Sequence, residues 1–172
     1  MSRDLADLTD EFCPKVQQVI ANCAAAGITM VPYFTLRDPH DQALLWRQFW
    51  NDRTEAEVAA LRAAGAPWLA DILEATPFQK GPWATNGVPG NSWHQFGLAC
   101  DCYWSVKGAA EWGDGVGYVI FAKQAEQFGL TSGRHFTRPD IDHVQLQPQG
   151  APADIYSWPE IDAAMKQRFG GT

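Results

Sequence analysis

The sequence predicts an α+β domain with a small, mainly antiparallel central sheet flanked by helices. Three observations carry that expectation. Segments with a helical apolar period and short β-branched or aromatic runs are mixed without strict alternation, which disfavours a parallel α/β arrangement. The 172 residues suit one domain, spanning 1–172, with enough chain to bury a real core. Apolar residues make up 46% and charged residues 19%, a balance expected of a packed chain and not of a disordered one.

The elements follow in order. A first helix is expected from Thr9 to Ala26, because Phe12, Val16, Ile20 and Cys23 recur on one face and Gly27 is a natural stop. Ile28 to Leu36 reads as a strand, and Pro32 inside it, lacking an N–H, implies an edge position or a bulge. Asp38-Pro39 pairs an N-cap with Pro at the first helical position, and the helix continues through Leu44, Leu45 and Phe49. Thr54 with Glu57 reads as a capping box opening a helix that stops near Gly65, and a short helix is expected after Pro67. Pro77 to Asn91 is rich in Pro, Gly and Asn and predicts a long loop of the kind that carries function. Phe96 to Val106 reads as a strand and Gly117 to Phe128 as a helix, with Tyr118, Phe121, Ala125 and Phe128 on one side and Gly129 as its stop. His143 to Gln147 is a short strand. Ser157 and Glu160 form a second capping box, opening a last helix to about Phe169.

Charge and composition exclude several functions. The net charge is −7 with no basic cluster, so phosphate neutralisation, and with it nucleic-acid binding, is not expected. No apolar run approaches the roughly 20 residues of a membrane span. The polar, acidic start predicts synthesis in the cytoplasm without a signal peptide. The four cysteines, Cys13, Cys23, Cys100 and Cys102, are expected to be reduced thiols. A monomer is expected.

The chemistry concentrates in two segments. In Ser92 to Asp101 a His and an Asp stand seven residues apart, with the Asp inside an apolar strand. Alternation puts Phe96, Leu98, Cys100, Cys102 and Trp104 on one face and Gly97, Ala99, Asp101 and Tyr103 on the other. A carboxylate on a buried strand is costly unless a cation meets it; a metal and an Arg partner are both answers. The second segment, Asp140-Ile141-Asp142-His143, can supply one ligand and one base. His94, Asp101 and His143 together would make a three-ligand site with one open position, which suits catalytic zinc. Such a metal brings a bound water towards pKa ~7 and polarises a carbonyl, and a neighbouring carboxylate moves the proton. On spacing alone, one structural His and a few surface acids are the favoured reading of these residues.

The segment Ser92-x-His94-x-x-Gly97-x-Ala99-x-Asp101 resembles the zinc motif of the LAS metallopeptidases, which include D-alanyl-D-alanine carboxypeptidases and dipeptidases and L-alanyl-D-glutamate endopeptidases such as phage endolysins. Upstream, Thr85 to Gly90 resembles the approach to that motif in the endopeptidase branch. Downstream, Asp140-x-x-His143-Val144-Gln145-Leu146 resembles its ending, and Arg37 with Gln42 resembles its N-terminal segment. The order matches, over roughly residues 3 to 147. The resemblance implies zinc as cofactor, held by His94, Asp101 and His143, with Asp140 as catalytic base. It implies Arg37 as a catalytic cation for a substrate carboxylate or developing oxyanion. Ser92, Trp93 and Gln42 are its implied substrate-binding residues, although core packing serves equally well for Trp83 and Trp93. Asp142 stands where relatives carry Pro, beside the base. The implied fold is hedgehog/DD-peptidase-like, with the zinc cleft on one face of the sheet. The implied partners are peptidoglycan stem peptides, met at the cell wall after release from the cell. The expected reaction is hydrolysis between L-Ala and D-Glu. A D-alanyl-D-alanine carboxypeptidase or dipeptidase, and a non-catalytic protein binding zinc or wall fragments, are the alternatives. His40 and His135 read as surface residues, and Cys100 and Cys102 as core thiols facing away from Asp101.

Overall fold

The computed structural model describes residues 1–171. Along the chain run α1 (Phe12–Ala25), β1 (Thr29–Phe34), α2 (Pro39–Arg47), α3 (Thr54–Ala63), α4 (Pro67–Ala75), β2 (Ala99–Val106), β3 (Ala109–Glu111), α5 (Val116–Gln127), β4 (Thr131–Ser132), β5 (His143–Gln145) and α6 (Trp158–Phe169). Every strand pair is antiparallel, in the order β1-β2-β5-β4, with β3 pairing β2. The α+β class with a small antiparallel sheet is as the sequence predicts. The chain divides into two compact units, Met1–Leu36 with Phe96–Gly150, and Arg37–Gln95 with Ala151–Thr172.

The first unit holds the whole sheet with α1 and α5. Phe12, Val16, Val19 and Cys23 of α1 and Tyr118, Phe121 and Ala125 of α5 pack on Met30, Cys100, Cys102 and Val144 of the strands. Each large side chain so buried stabilises the fold by about 1.5–3 kcal/mol. The stripe on α1 is rotated slightly from the expected one: Val19 is fully buried and Ile20 partly. Gly27, at φ 79°, ends α1 in a left-handed conformation open to glycine without strain. In β1 the register slips between Pro32 and Phe34, the bulge that Pro32 implied. The central strand begins later than expected, because Trp93–Phe96 forms a 3₁₀ turn before it. Tyr118 ties helix to sheet: its hydroxyl donates to the Glu111 carbonyl at 2.6 Å and accepts from the Trp104 N–H at 3.2 Å.

In the second unit α4 packs against α2, α3 and α6. The Asp38 carboxylate accepts from the Asp41 N–H at 2.7 Å, as its N-cap position implied. Ser157 and Glu160 form the expected capping box on α6. The capping box expected at Thr54 does not form: Arg53 occupies the N-cap, and the Thr54 hydroxyl instead donates to the Trp50 carbonyl at 3.0 Å and meets the Arg47 guanidinium. The N-terminus of α4 is capped from a distance by Asp162 of α6, whose carboxylate accepts from the Leu69 N–H at 2.9 Å. The long loop before the first motif is pinned rather than loose. Trp50 Nε1 donates to the Thr85 carbonyl, and Gly90, at φ 89°, lies so close to Leu69 and Ile161 that a Cβ would stand 2.6 and 2.8 Å from them.

Candidate metal centre

Asp101 and His143 are cross-strand partners in the β2–β5 ladder, so the pleat points both to one side of the sheet. The carboxylate and the imidazole Nδ1 meet at 2.8 Å. His94 belongs to the 3₁₀ turn that leads into β2, seven residues before Asp101. One ligand atom from each of His94, Asp101 and His143 lies within 4.8 Å of the other two. Both His residues are buried, and 13% of the Asp101 side chain is exposed. The structure thus brings together the three residues expected to hold the metal.

Gln145 orders this cluster. It lies two residues after His143, on the same strand face, and is buried. Its Nε2 donates to the carbonyls of Gln147 and Pro148, at 3.1 and 2.6 Å, which turns its Oε1 towards His143 Nε2 at 3.0 Å. A carbonyl oxygen and a carboxylate can only accept, so without a metal Nε2 donates to Gln145 and Nδ1 donates to Asp101, and a cation at Nδ1 would take the place of that second proton. Burial lowers the His143 pKa, but the hydrogen bond to Asp101 and the charges of Asp101 and Asp140 outweigh it and raise it to about 9. The pocket around Nδ1 therefore attracts positive charge. Two imidazoles and one carboxylate, closely spaced and shielded from water, match the ligand types and ligand number of a catalytic zinc site.

Asp140 and Asp142 differ in surroundings. Asp140 is exposed; its N–H donates to the Gly133 carbonyl at 2.9 Å, and its own carbonyl accepts from the His143 N–H at 3.3 Å. Asp142 is half-buried and is raised to about 8, by burial first, then by the Asp101 charge and by a hydrogen bond to Asp140. Gly133 makes the turn possible, for a Cβ there would stand 2.4 Å from the Asp140 carbonyl and 3.0 Å from the His143 Cβ.

Arg37 and Gln42 also come together. Arg37 Nη1 donates to Gln42 Oε1 at 3.0 Å, while Gln42 Nε2 donates to the Gly87 carbonyl at 2.6 Å and to the Thr85 hydroxyl at 3.3 Å. The Arg37 N–H donates to the His94 carbonyl at 3.2 Å. Gln42 is fully buried, and these bonds let it hold Arg37 and the motif loop in place. Ser92 is half-buried, and its carbonyl accepts from the Gln95 N–H at 3.0 Å. Trp93 is 3% exposed and meets Tyr156 edge-on at 6.3 Å, which is packing. Trp83 lies at the surface, its indole N–H donating to Asn86 Oδ1. His40 is exposed; His135 is exposed and pairs with Glu126 at 2.8 Å. Cys100 and Cys102 are fully buried in the core on the face opposite Asp101, with their sulfurs 3.8 Å apart. Burial raises the Cys23 thiol to about 11.

Gln145 and Gly133 are site residues that the sequence reading left without a role. Strand alternation from His143 pointed to Gln145; nothing local to the sequence marked Gly133, whose neighbours in space lie seven and ten residues on. Among the described residues no helix is long and apolar enough to cross a membrane.

No protein-family model matches the chain, and no curated protein matches it. Among solved structures it is similar to a point mutant of the vancomycin resistance D,D-pentapeptidase VanY from a VanB-type resistance cassette, in complex with Zn(II). That match has a TM-score of 0.47 and 19% identity, and it covers 81% of this chain and 73% of that one.

Proposed function

We propose that this chain is a zinc peptidase that hydrolyses peptidoglycan stem peptides between L-Ala and D-Glu. The observation that carries the reading is the cluster of His94, Asp101 and His143, whose ligand atoms lie within 4.8 Å of one another and whose charge draws a cation. Zinc held by these three residues would act as a Lewis acid towards a carbonyl and lower the pKa of a bound water. The chain's own residues do the rest. Asp140, exposed beside the cluster, takes a proton from the attacking water and passes it to the leaving amine. Asp142, raised to about 8 by burial and by the Asp101 charge, stands as a hydrogen-bond partner of Asp140. Gln145, by accepting from His143 Nε2, leaves Nδ1 as the nitrogen that would give up its proton to the metal. Arg37, steadied by Gln42, offers its fork of donors to a substrate carboxylate. The preference for the L-Ala–D-Glu bond rests on the resemblance of Thr85 to Gly90 and of Asp140 to Leu146 to the endopeptidase branch.

The test is product analysis by mass spectrometry on defined muropeptides, with and without a chelator. Chelator-sensitive release of a peptide beginning at D-Glu is expected, and release of D-Ala instead would move the assignment to the D-alanyl-D-alanine branch. Asp140→Ala should retain one equivalent of zinc and lose about 10²–10⁴-fold in kcat, whereas Asp142→Asn, which keeps a donor to Asp140, should lose far less. Zinc bound at one equivalent with no hydrolysis of any stem peptide would identify a binding protein.

A further inference from the structure

The face of β2 that carries Asp101 continues into a cluster of aromatic rings. Cys100 and Cys102 point into the core, so Asp101 and Tyr103 project from the opposite face. Phe34 pairs with Asp101 and Val31 with Tyr103, and the bulge after Pro32 places Tyr33 and Phe34 together against the one residue Asp101. Their ring centroids lie 4.0 Å apart. Tyr33 meets Trp112 at 5.1 Å and Tyr103 at 6.4 Å, both edge-on, and Tyr103 lies 5.7 Å from Trp112. The Arg3 guanidinium covers Tyr33 at 5.3 Å, whereas Trp112 remains 50% exposed.

Cross-strand aromatic pairs stabilise a sheet, but a half-exposed Trp adds little to a core. A contiguous aromatic patch in water marks a binding surface. Resting on the peptidase reading above, we infer that Tyr103 and Trp112, buttressed by Tyr33, form a stacking platform for the muramyl sugar that carries the stem peptide. Two observations select a pyranose. The rings interleave apolar faces with two phenol hydroxyls and an indole N–H, which matches a ring with C–H bonds on one face and hydroxyls at its rim. The platform is also continuous with the metal centre, since Tyr103 follows Asp101 by two strand residues, about 7 Å. In a stem peptide the first residue is joined to the sugar through a lactyl group, so a bond just after that residue lies roughly two residue-lengths, about 7 Å, from the sugar. A bond at the far end of a pentapeptide lies more than twice as far away. The position of the platform therefore fits cleavage next to the glycan.

The experiment compares kcat/KM of the zinc-loaded protein on a disaccharide–tetrapeptide and on the same tetrapeptide without sugar. The glycan-linked substrate should be preferred by roughly three- to tenfold, and Trp112→Ala and Tyr103→Ala should bring that ratio towards one. Equal rates on the two substrates, or variants that lower both rates in parallel, would overturn the platform, since a purely structural role leaves the ratio unmoved. Cleavage of neither substrate would refute the peptidase reading instead. The platform is then decided by titrating the peptide-free disaccharide and following the Trp112 indole N–H by NMR, assigned through its loss in Trp112→Ala. A saturable shift supports it, and no shift overturns it.

Discussion

His143 has two ring nitrogens, and the neighbour that decides between them is an amide. Because the Gln147 and Pro148 carbonyls engage both hydrogens of the Gln145 amide, its oxygen has one orientation and accepts from the imidazole Nε2, so that is where the last proton of the ring is held. Removing that acceptor frees the ring to rotate or to place its proton on Nδ1, where it competes with a cation. Gln145→Ala should therefore weaken zinc binding by about 10–100-fold, read by competition with a chromophoric chelator. Gln145→Glu, which restores an acceptor, should recover much of it. An unchanged affinity in Gln145→Ala would mean that Asp101 alone orients the ring. The three candidate ligands were legible in the sequence through the resemblance of Ser92 to Asp101 and of Asp140 to Leu146 to a zinc motif, since their spacing alone left a structural reading ahead. Gln145 stood in the resembling segment Asp140 to Leu146 without a role, and the two-residue alternation that follows from His143 is the signal that assigns it one. The link between Arg37 and Gln42 was not legible, since a five-residue separation across an N-cap says nothing of which side chains meet.

At the scale of elements, helices with strong stops were read to within a few residues, whereas β3 and β4 were not read at all. Strands of three and two residues, such as Ala109–Glu111 and Thr131–Ser132, are too short to show alternation and exist only because β2 and β5 offer them partners. Thr54 misled for a related reason: its hydroxyl found the Trp50 carbonyl and Arg47, partners supplied by the preceding turn. Gly117 in α5 is a further case in which the neighbour in space overrides local preference. Ala has the better helix propensity by about 1 kcal/mol, which argues for substitution. Yet a Cβ at Gly117 would stand 2.4 and 2.5 Å from atoms of the Trp104 indole, packed against the core. Overpacking of that kind costs about 1–3 kcal/mol, so the clash should win. Gly117→Ala should lower stability, measured as a fall in the urea midpoint with unchanged slope, and a rise in the midpoint would show that the indole has room to move.

At the scale of the whole molecule, the metal centre should couple stability to pH, with a sign that the buried groups determine. His143 has a folded pKa of about 9 against an ordinary value of 6.5, so between those values the folded chain keeps a proton that the unfolded chain has released. Asp142, at about 8 against 3.8, does the same over a lower range. For each group the stabilisation is complete below the unfolded value and is lost as pH rises through the folded one. The metal-free protein should therefore melt at a progressively lower temperature from about pH 6 to about pH 9. Bound zinc reverses the trend at the centre itself, because it takes the place of the proton at His143 Nδ1, and its affinity grows as that proton becomes easier to remove. The general repulsion of a chain with net charge −7 acts on both forms alike, so the informative quantity is the difference between them. Melting curves recorded with zinc and with chelator should separate further at each step of rising pH. A gap that stays constant or narrows would mean that zinc does not displace a proton from His143, and that the cation drawn by this cluster is held elsewhere.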